Sequence, residues 1–452
     1  MSTAAERPSR PSTTTSARAL AIDLRPLAVP AFRRMWAASV ICAVGGSFSV
    51  VAVPTHLFTV TGSSAAVGAA AGVSLAALVT AAVWSGALAD VLDRRTMLLA
   101  ADLGLALTYA ALWVLTVLGG RSLPALLVAV AFQGLAYGTV LTTAGATVPR
   151  LVPPELLPAA NSLNSLVRYG GSILGPMLAG VLIPLLGLGT LYLFDAVALL
   201  AVVWAVALLP PLPAADQTDD EHGGRASSAI GRALAGFRCL AGNRLLASVL
   251  AVDLAAMVFG MPSALFPELA RHVFGGTAGG GPETGLLYAA YPAGVFAAGL
   301  LSGAFTRARR HGALVAGAAA AWGVTVMVVG LAGELWIALA ALALGGAVNF
   351  VLSTFRTTII QTHTADAVRG RVQGALTVVL VGGPQLANLL HGVTGTLWGP
   401  RVVIFTGGLL TVAAVGAIAW AAPVLRRHVA PAPPPSLPET RRSPAATGAQ
   451  VS

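Results

Sequence analysis

Apolar runs long enough to cross a bilayer recur along the chain, and they constrain its fold more than any other feature. A helix through the hydrocarbon core needs about 20 mostly apolar residues at roughly 1.5 Å each. Twelve runs are predicted to meet this: Met35 to Thr59, Ala65 to Ala89, Thr96 to Leu118, Leu123 to Val148, Asn161 to Leu186, Thr190 to Leu209, Leu245 to Ala270, Thr284 to Phe305, Ala313 to Leu331, Leu335 to Ile360, Val372 to Leu397 and Val402 to Ala422. They are rich in Leu, Ala and Val with interspersed Gly, without the short alternating pattern of barrel strands, so helices are expected. Only 10% of the residues are charged and 56% are hydrophobic, too little polar surface for a water-soluble chain. The first run reads as a span and not a cleavable leader, because its apolar part is too long and no A-x-A site closes it.

The formal net charge of +10 is a matter of topology. All 27 basic residues are arginine, set in small groups between the runs without interleaved aromatics, so no nucleic-acid partner is expected. With both termini cytoplasmic, 22 arginines fall on the inner side, three (Arg121, Arg271, Arg401) on the outer side and two (Arg168, Arg356) within spans. That asymmetry follows the positive-inside rule and predicts a multi-pass protein of the cell membrane. The polar interruption at 210–244 divides the chain into an N-terminal bundle of six spans, 32–209, and a C-terminal bundle of six, 245–425. Its first part is a flexible linker, and 229–241 suits a short amphipathic helix. The tails at 1–31 and 426–452 are expected to be disordered. Cys42 and Cys239 have no spacing that implies a disulfide framework or a metal site, and neither metal nor cofactor is expected.

Two inner loops repeat at similar offsets. GALADVLDRR from Gly86 lies opposite GAFTRARRHG from Gly303, and VPPELLPAANSL from Val152 lies opposite THTADAVRGRVQG near Thr362. The first loop is the most specific motif, because it falls where the topology independently requires a short cytoplasmic connection. Gly86, Leu88, Ala89, Asp90, Arg94 and Arg95 match the loop pattern G-x-L-a-D-[RK]-x-G-[RK]-[RK] of the major facilitator superfamily, which the chain resembles; Val91 and Asp93 depart from it. The resemblance implies two six-helix bundles in parallel orientation and a conformational gate in which Asp90 faces the start of span eleven, around Gly370 to Val372. Taken without the resemblance, Arg94 and Arg95 are simply topology charges. A second motif, Gly171, Gly175, Pro176 and Gly180 in span five, is similar to the GxxxGPxxGG pattern of the family's exporters, with Ala179 in place of one glycine; small residues at such spacing also suit ordinary helix packing.

The resemblance narrows to one branch of the family, the enterobactin (siderophore) exporters. It is carried by FRRMW at Phe32, VAVPTHLF at Val51, LVRYGGSILGPMLAG at Leu166, LFPELA at Leu265, GLLYAAYPAG at Gly285 and IIQTHTADAVRGRVQG at Ile359. In that branch an acidic residue in place of the loop glycine, as at Asp93, is usual. Val130 stands where many proton-coupled relatives carry arginine.

Charges inside spans are costly, about 2.5–3.5 kcal/mol each at a helix centre, and so are candidate functional groups. Arg168 lies deep in span five; the branch also places arginine there, and a cation facing the cavity would suit an acidic catecholate or hydroxamate, while pairing with a carboxylate is the alternative. Asp253 in span seven is a candidate for proton coupling or substrate contact, or a hydrogen-bonded structural carboxylate. Asn349, Gln385, Asn388, Tyr288 and Tyr291 are candidate polar groups of the cavity. Arg356 is expected to snorkel to the inner interface, Asp102 and Asp195 to be solvated near span ends, and His56 and His391 to be hydrogen-bonded.

No HExxH, GxSxG or GxxxxGK[ST] pattern and no lysine is found, so neither an intramembrane enzyme nor an ATP-driven pump is expected. The expected function is secondary export of a small amphipathic molecule, a siderophore first, by alternating access and proton antiport. A macrolide-type multidrug pump is the alternative, and a non-transporting scaffold or sensor a third class. The expected partners are the substrate, protons and the lipid bilayer, with the chain acting as a monomer.

Overall fold

The computed structural model describes residues 23–88, 92–209, 229–277, 279–301, 308–364 and 366–429. The first half contains α1 (Pro30–Gly45), α2 (Ser49–Thr61), α3 (Ser64–Leu88), α4 (Arg94–Val117), α5 (Leu123–Leu151) and α6 (Leu157–Ala207). After α7 (Ala229–Gly242), the second half contains α8 (Arg244–Gly260), α9 (Phe266–His272), α10 (Pro282–Leu300), α11 (His311–Leu331), α12 (Leu335–Thr362), α13 (Asp366–Trp398), α14 (Pro400–Ala421) and the short α15 (Pro423–Arg427). Among the described residues, nine stretches are long and apolar enough to cross a membrane.

Caps and prolines set the helix starts. Asp93 accepts from the Arg95 amide at the start of α4, and Asn243 accepts from the Leu245 and Leu246 amides at the start of α8. Proline occupies the first turn of α1, α5, α10 and α14, where its missing N–H costs nothing. The 51-residue α6 is two limbs and not one rod: Gly187 sits at φ 79° and ψ 160°, a left-handed conformation that favours glycine. Before it, Gly171 lies on Ala43 and Gly175 on Ser47, so the first limb runs parallel to α1; beyond it, Gly189 meets Thr116 and the Ala207 carbonyl meets Arg95, so the second runs antiparallel to α4. The chain therefore reverses at Gly187, and α1, the end of α6 and α15 share one face of the bundle, called here the terminus face.

Two expected spans are broken helices. The run from Met35 to Thr59 is interrupted between α1 and α2, and that from Leu245 to Ala270 between α8 and α9. Within the stretches expected as tails, Arg25–Ala28 form a 3-10 turn, α1 begins at Pro30, and Arg426 and Arg427 belong to α15. The remainder of both tails and 210–228 lie outside the described residues.

Each half has its own apolar core. One cluster runs from Leu240 to Leu425, and others are drawn from Phe32 to Leu209, with Ala264 joining from the second half. The halves meet along two helix pairs at the face opposite the termini. In α3–α13, a Cβ on Gly68 would stand 3.0 Å from the Gly392 Cα; in α6–α10, a Cβ on Gly180 would stand 2.9 Å from the Gly285 Cα. Any larger residue would push these backbones apart. The Ser64 hydroxyl donates to Glu268 Oε2 across the same seam, and Phe58 meets His272 edge-on.

Candidate translocation site

In the first half, the break between α1 and α2 exposes amides that have no helical partner. Asp195, on the second limb of α6, supplies one: its carboxylate accepts from the Phe48 amide (3.2 Å), the Ser49 amide (2.7 Å) and the Ser49 hydroxyl. Asp195 is fully buried and Asp102 nearly so, which corrects the expectation that both are solvated near span ends. Both lie near span ends in sequence but are enclosed by neighbouring helices, Asp195 by the break between α1 and α2. Nearby, Gln133 donates to the Tyr109 hydroxyl at 3.0 Å and His56 bonds the Tyr192 hydroxyl at 3.2 Å.

Arg168 is exposed, in the depth of α6's first limb, with its guanidinium 5.0 Å from the Tyr169 ring. Among the described residues it forms no ion pair. At roughly 100° per residue, it lies in the sector between Gly171 and Gly175, which face α1, and Pro176 and Gly180, which face α10. The four small-residue positions thus serve two contacts: the first two pack the first half together, and Gly180 closes the seam with Gly285.

In the second half, the deep charges pair. Arg356 Nη1 donates to Asp253 Oδ1 at 2.6 Å, with both side chains buried, so Arg356 does not snorkel. Asp253 on α8 gives it a buried counter-charge. Asp253 Oδ2 and Arg356 Nε remain buried without a hydrogen-bond partner. Beside the pair, Tyr291 of α10 donates to Asn349 Oδ1 of α12 at 2.9 Å; its electrostatic neighbours are Asp253, Arg356 and, across the seam, Tyr169. Four of the sequence candidates, Asp253, Asn349 and Tyr291 with Arg168 opposite, are thus on helices that meet near the seam. Arg356 was missed as a site residue, although the sequence held the signal: a single deep acid and a single deep base in spans seven and ten.

Other candidates do structural work. Asn388 Oδ1 accepts from the Ser263 hydroxyl and the Ala264 amide, and Tyr288 donates to the Ser263 carbonyl, so both brace the break between α8 and α9. Gln385 is half-buried on α13. His391 bonds the Phe259 carbonyl. In the loop motif, Gly86 and Leu88 end α3, with Leu88 exposed, Asp93 caps α4, and Arg95 donates to the Ala207 carbonyl, tying α4 to the end of α6; Arg94 opens α4. Asp90 lies outside the described residues.

The profile of the Major Facilitator Superfamily matches residues 35–384, across both halves. The chain belongs to the Major Facilitator Superfamily. It is a multi-pass membrane transporter, not an enzyme. Among curated proteins it is similar to the enterobactin exporter EntS of Citrobacter koseri, 29% identical over 371 residues, covering 82% of this chain and 86% of that one. The enterobactin exporter EntS of Shigella boydii serotype 18 is 28% identical over 374 residues with the same coverage. Among solved structures, a POT family transporter in complex with 5-aminolevulinic acid aligns at a TM-score of 0.67 and 12% identity, over 89% of this chain and 96% of the other. A bacterial homologue of the iron transporter ferroportin in an inward-facing state aligns at 0.62 and 17%, over 88% and 99%. These low identities show the shared fold.

Proposed function

We propose that this transporter exports a small acidic amphipathic molecule, a siderophore of the catecholate or hydroxamate class, by alternating access with proton antiport. The observation that carries this reading is Arg168, an exposed cation deep in the first half, with no ion pair among the described residues, in a chain related to enterobactin exporters over 82% of its length. An exposed guanidinium set among apolar helices offers charge-assisted, bidentate recognition to a catecholate or hydroxamate. The glycine seams close the opposite face, so substrate loads from the terminus face. The arginine asymmetry makes that face cytoplasmic, with the chain crossing the plasma membrane twelve times as a monomer and the Asp90 loop acting as the gate on the cytoplasmic side.

The test is secretion under iron starvation. Deleting the gene lowers extracellular siderophore and raises the intracellular pool, and a plasmid carrying Arg168→Ala fails to restore secretion while the protein still accumulates in the membrane. Unchanged secretion combined with new macrolide sensitivity would replace this reading with multidrug efflux.

A further inference from the structure

Arg33 and Arg34, the centre of the FRRMW segment, stand near the start of α1 at the terminus face, and both are exposed. Other arginines of that face are occupied: Arg25 pairs with Asp23 at 2.6 Å, and Arg95 donates to the Ala207 carbonyl. Among the described residues, Arg33 and Arg34 form no ion pair. Topology alone would account for two basic residues here, but not for what lies beside them. Both line a cavity of about 300 Å³ between α1 and the second limb of α6. The two helices are close at Gly45, where a Cβ would stand 3.3 Å from the Ala198 Cβ, and the cavity opens between them toward the terminus face. Ala37, Ala38 and Ala201 present only methyl groups to it, and Ile41 and Trp204 are its large apolar walls. From Arg33 to Ile41 the groove follows α1 for about 12 Å at helical rise.

The cavity lies on the lipid side of the bundle. Phe194, Val197, Leu200 and Trp204 are exposed at spacings of three and four residues, while Asp195, Ala198 and Leu199 between them are buried. The second limb of α6 therefore turns an apolar stripe outward, and in a multi-pass membrane protein such a stripe meets hydrocarbon. Trp204 ends the stripe at the level of the two arginines, the position that tryptophan and arginine favour where hydrocarbon gives way to headgroups. We propose that this groove binds an anionic phospholipid of the leaflet at the terminus face, with its phosphate between Arg33 and Arg34 and one acyl chain along Ala37, Ala38 and Ile41.

Guanidinium groups match phosphate oxygens with paired, charge-assisted hydrogen bonds, and basic pockets between membrane helices select anionic headgroups in this way. The lining contains no acidic residue to compete for the arginines. A zwitterionic lipid brings its own cation and gains less from them. Each arginine is expected to contribute about fivefold, the equivalent of about 1 kcal/mol, so the pair prefers an anionic to a zwitterionic phospholipid by about twentyfold. The site is independent of the transported molecule.

In the full chain, Cys42 and Cys239 are replaced by Ser and a bimane fluorophore is attached at Val197→Cys, on the outward stripe beside the cavity but outside its lining. The protein is reconstituted into phosphatidylcholine vesicles carrying either phosphatidylglycerol or phosphatidylcholine with a nitroxide on the acyl chain, and quenching gives their relative occupancy. The parent is expected to prefer phosphatidylglycerol about twentyfold. Arg33→Gln/Arg34→Gln brings the ratio close to one. Arg426→Gln/Arg427→Gln, which removes the same charge from the terminus face of the second half, leaves it unchanged. Ala37→Leu fills the cavity from an exposed position while keeping both arginines, and lowers the preference about fivefold; it tests the site even where losing both charges impairs insertion. A parent without preference overturns the proposal. Equal losses in the two arginine variants assign the attraction to the charge of the whole face and overturn the groove as its site. Full preference in Ala37→Leu removes the acyl chain from the cavity, and abolition of the parent's preference by millimolar inorganic phosphate makes this a site for a free anion; either result overturns the lipid.

Discussion

Arg168 and Arg356 are both arginines deep within apolar helices, one in each half, and the fold handles them in opposite ways. Arg356 is buried and held by Asp253 at 2.6 Å; Arg168 is exposed, forms no ion pair among the described residues, and has the Tyr169 ring 5.0 Å from its guanidinium. The same contrast separates the carboxylates. Asp253 of the second half is met by a side-chain cation, whereas Asp195 of the first is met by the amides of a broken helix. The second half balances its buried charges against each other. The first balances its acid with backbone dipoles and leaves its base available. Under the proposed function, an exposed cation beside a seam suits recognition, and a self-neutralised pair suits structure.

The largest expected effect breaks this contrast by stability. Removing Arg356 as Arg356→Ala leaves a buried carboxylate unpaired and costs about 3–5 kcal/mol. The double variant Asp253→Asn/Arg356→Gln recovers most of that loss, because no lone charge remains. Arg168→Ala, at an exposed site without an ion pair, changes stability by about 0.5 kcal/mol or less while abolishing transport. Reversible unfolding in bilayer-mimetic detergent separates the three. Equal losses for the two arginines would erase the distinction.

The sequence made the helical membrane fold and the family legible, because apolar length and arginine placement are properties of composition along the chain. It made Arg168 legible as well, since the cost of a deep charge is independent of its neighbours. What it hid were interruptions and partners. Gly46 to Phe48 and Met261 to Leu265 break helices inside uniformly apolar stretches, where hydropathy has no contrast to mark the break. Asp195 shows the consequence: its partners exist only because α2 starts afresh beside it. Arg356 looked close enough to the interface to snorkel, and only the facing of α8 and α12 shows that a carboxylate is nearer. Asn388 and Tyr288 looked like cavity groups because side-chain polarity does not reveal whether a backbone break lies within reach.

A smaller effect tests the first half's way of holding a charge. Asp195→Ala takes the acceptor from the Phe48 and Ser49 amides and costs about 1–2 kcal/mol, in the range of a lost helix cap. Because Asn keeps one acceptor oxygen, Asp195→Asn costs less. Amide hydrogen exchange of the first turn of α2 should rise in the alanine variant more than anywhere in the second half. If exchange there is unchanged, the break is held by packing, and the comparison between halves loses its first-half side.

The smallest effect concerns like charges and not opposite ones. At the terminus face of the second half, His428 lies 4.9 Å from His363 and 6.4 Å from His311, ring centre to ring centre. Burial, then the neighbouring His363 and His311, hold His428 below the ordinary histidine value. A depressed histidine favours the neutral form when folded. Its contribution is therefore complete above the unfolded value of about 6.5 and is lost as pH falls through the lower folded value. Hydrogen exchange of Pro423–Arg427, normalised to intrinsic rates, should accelerate modestly between about pH 7.5 and about pH 5.5. His428→Gln should flatten that dependence, and the turn at Arg25–Ala28 on the first half's side of the same face should show none. Acid would then loosen the second half at its surface through the cost of charging the partly buried His428 beside two other histidines. A pH dependence that persists in His428→Gln would assign the surface effect to α15's arginines or to the bundle as a whole, and would separate it from the histidine cluster.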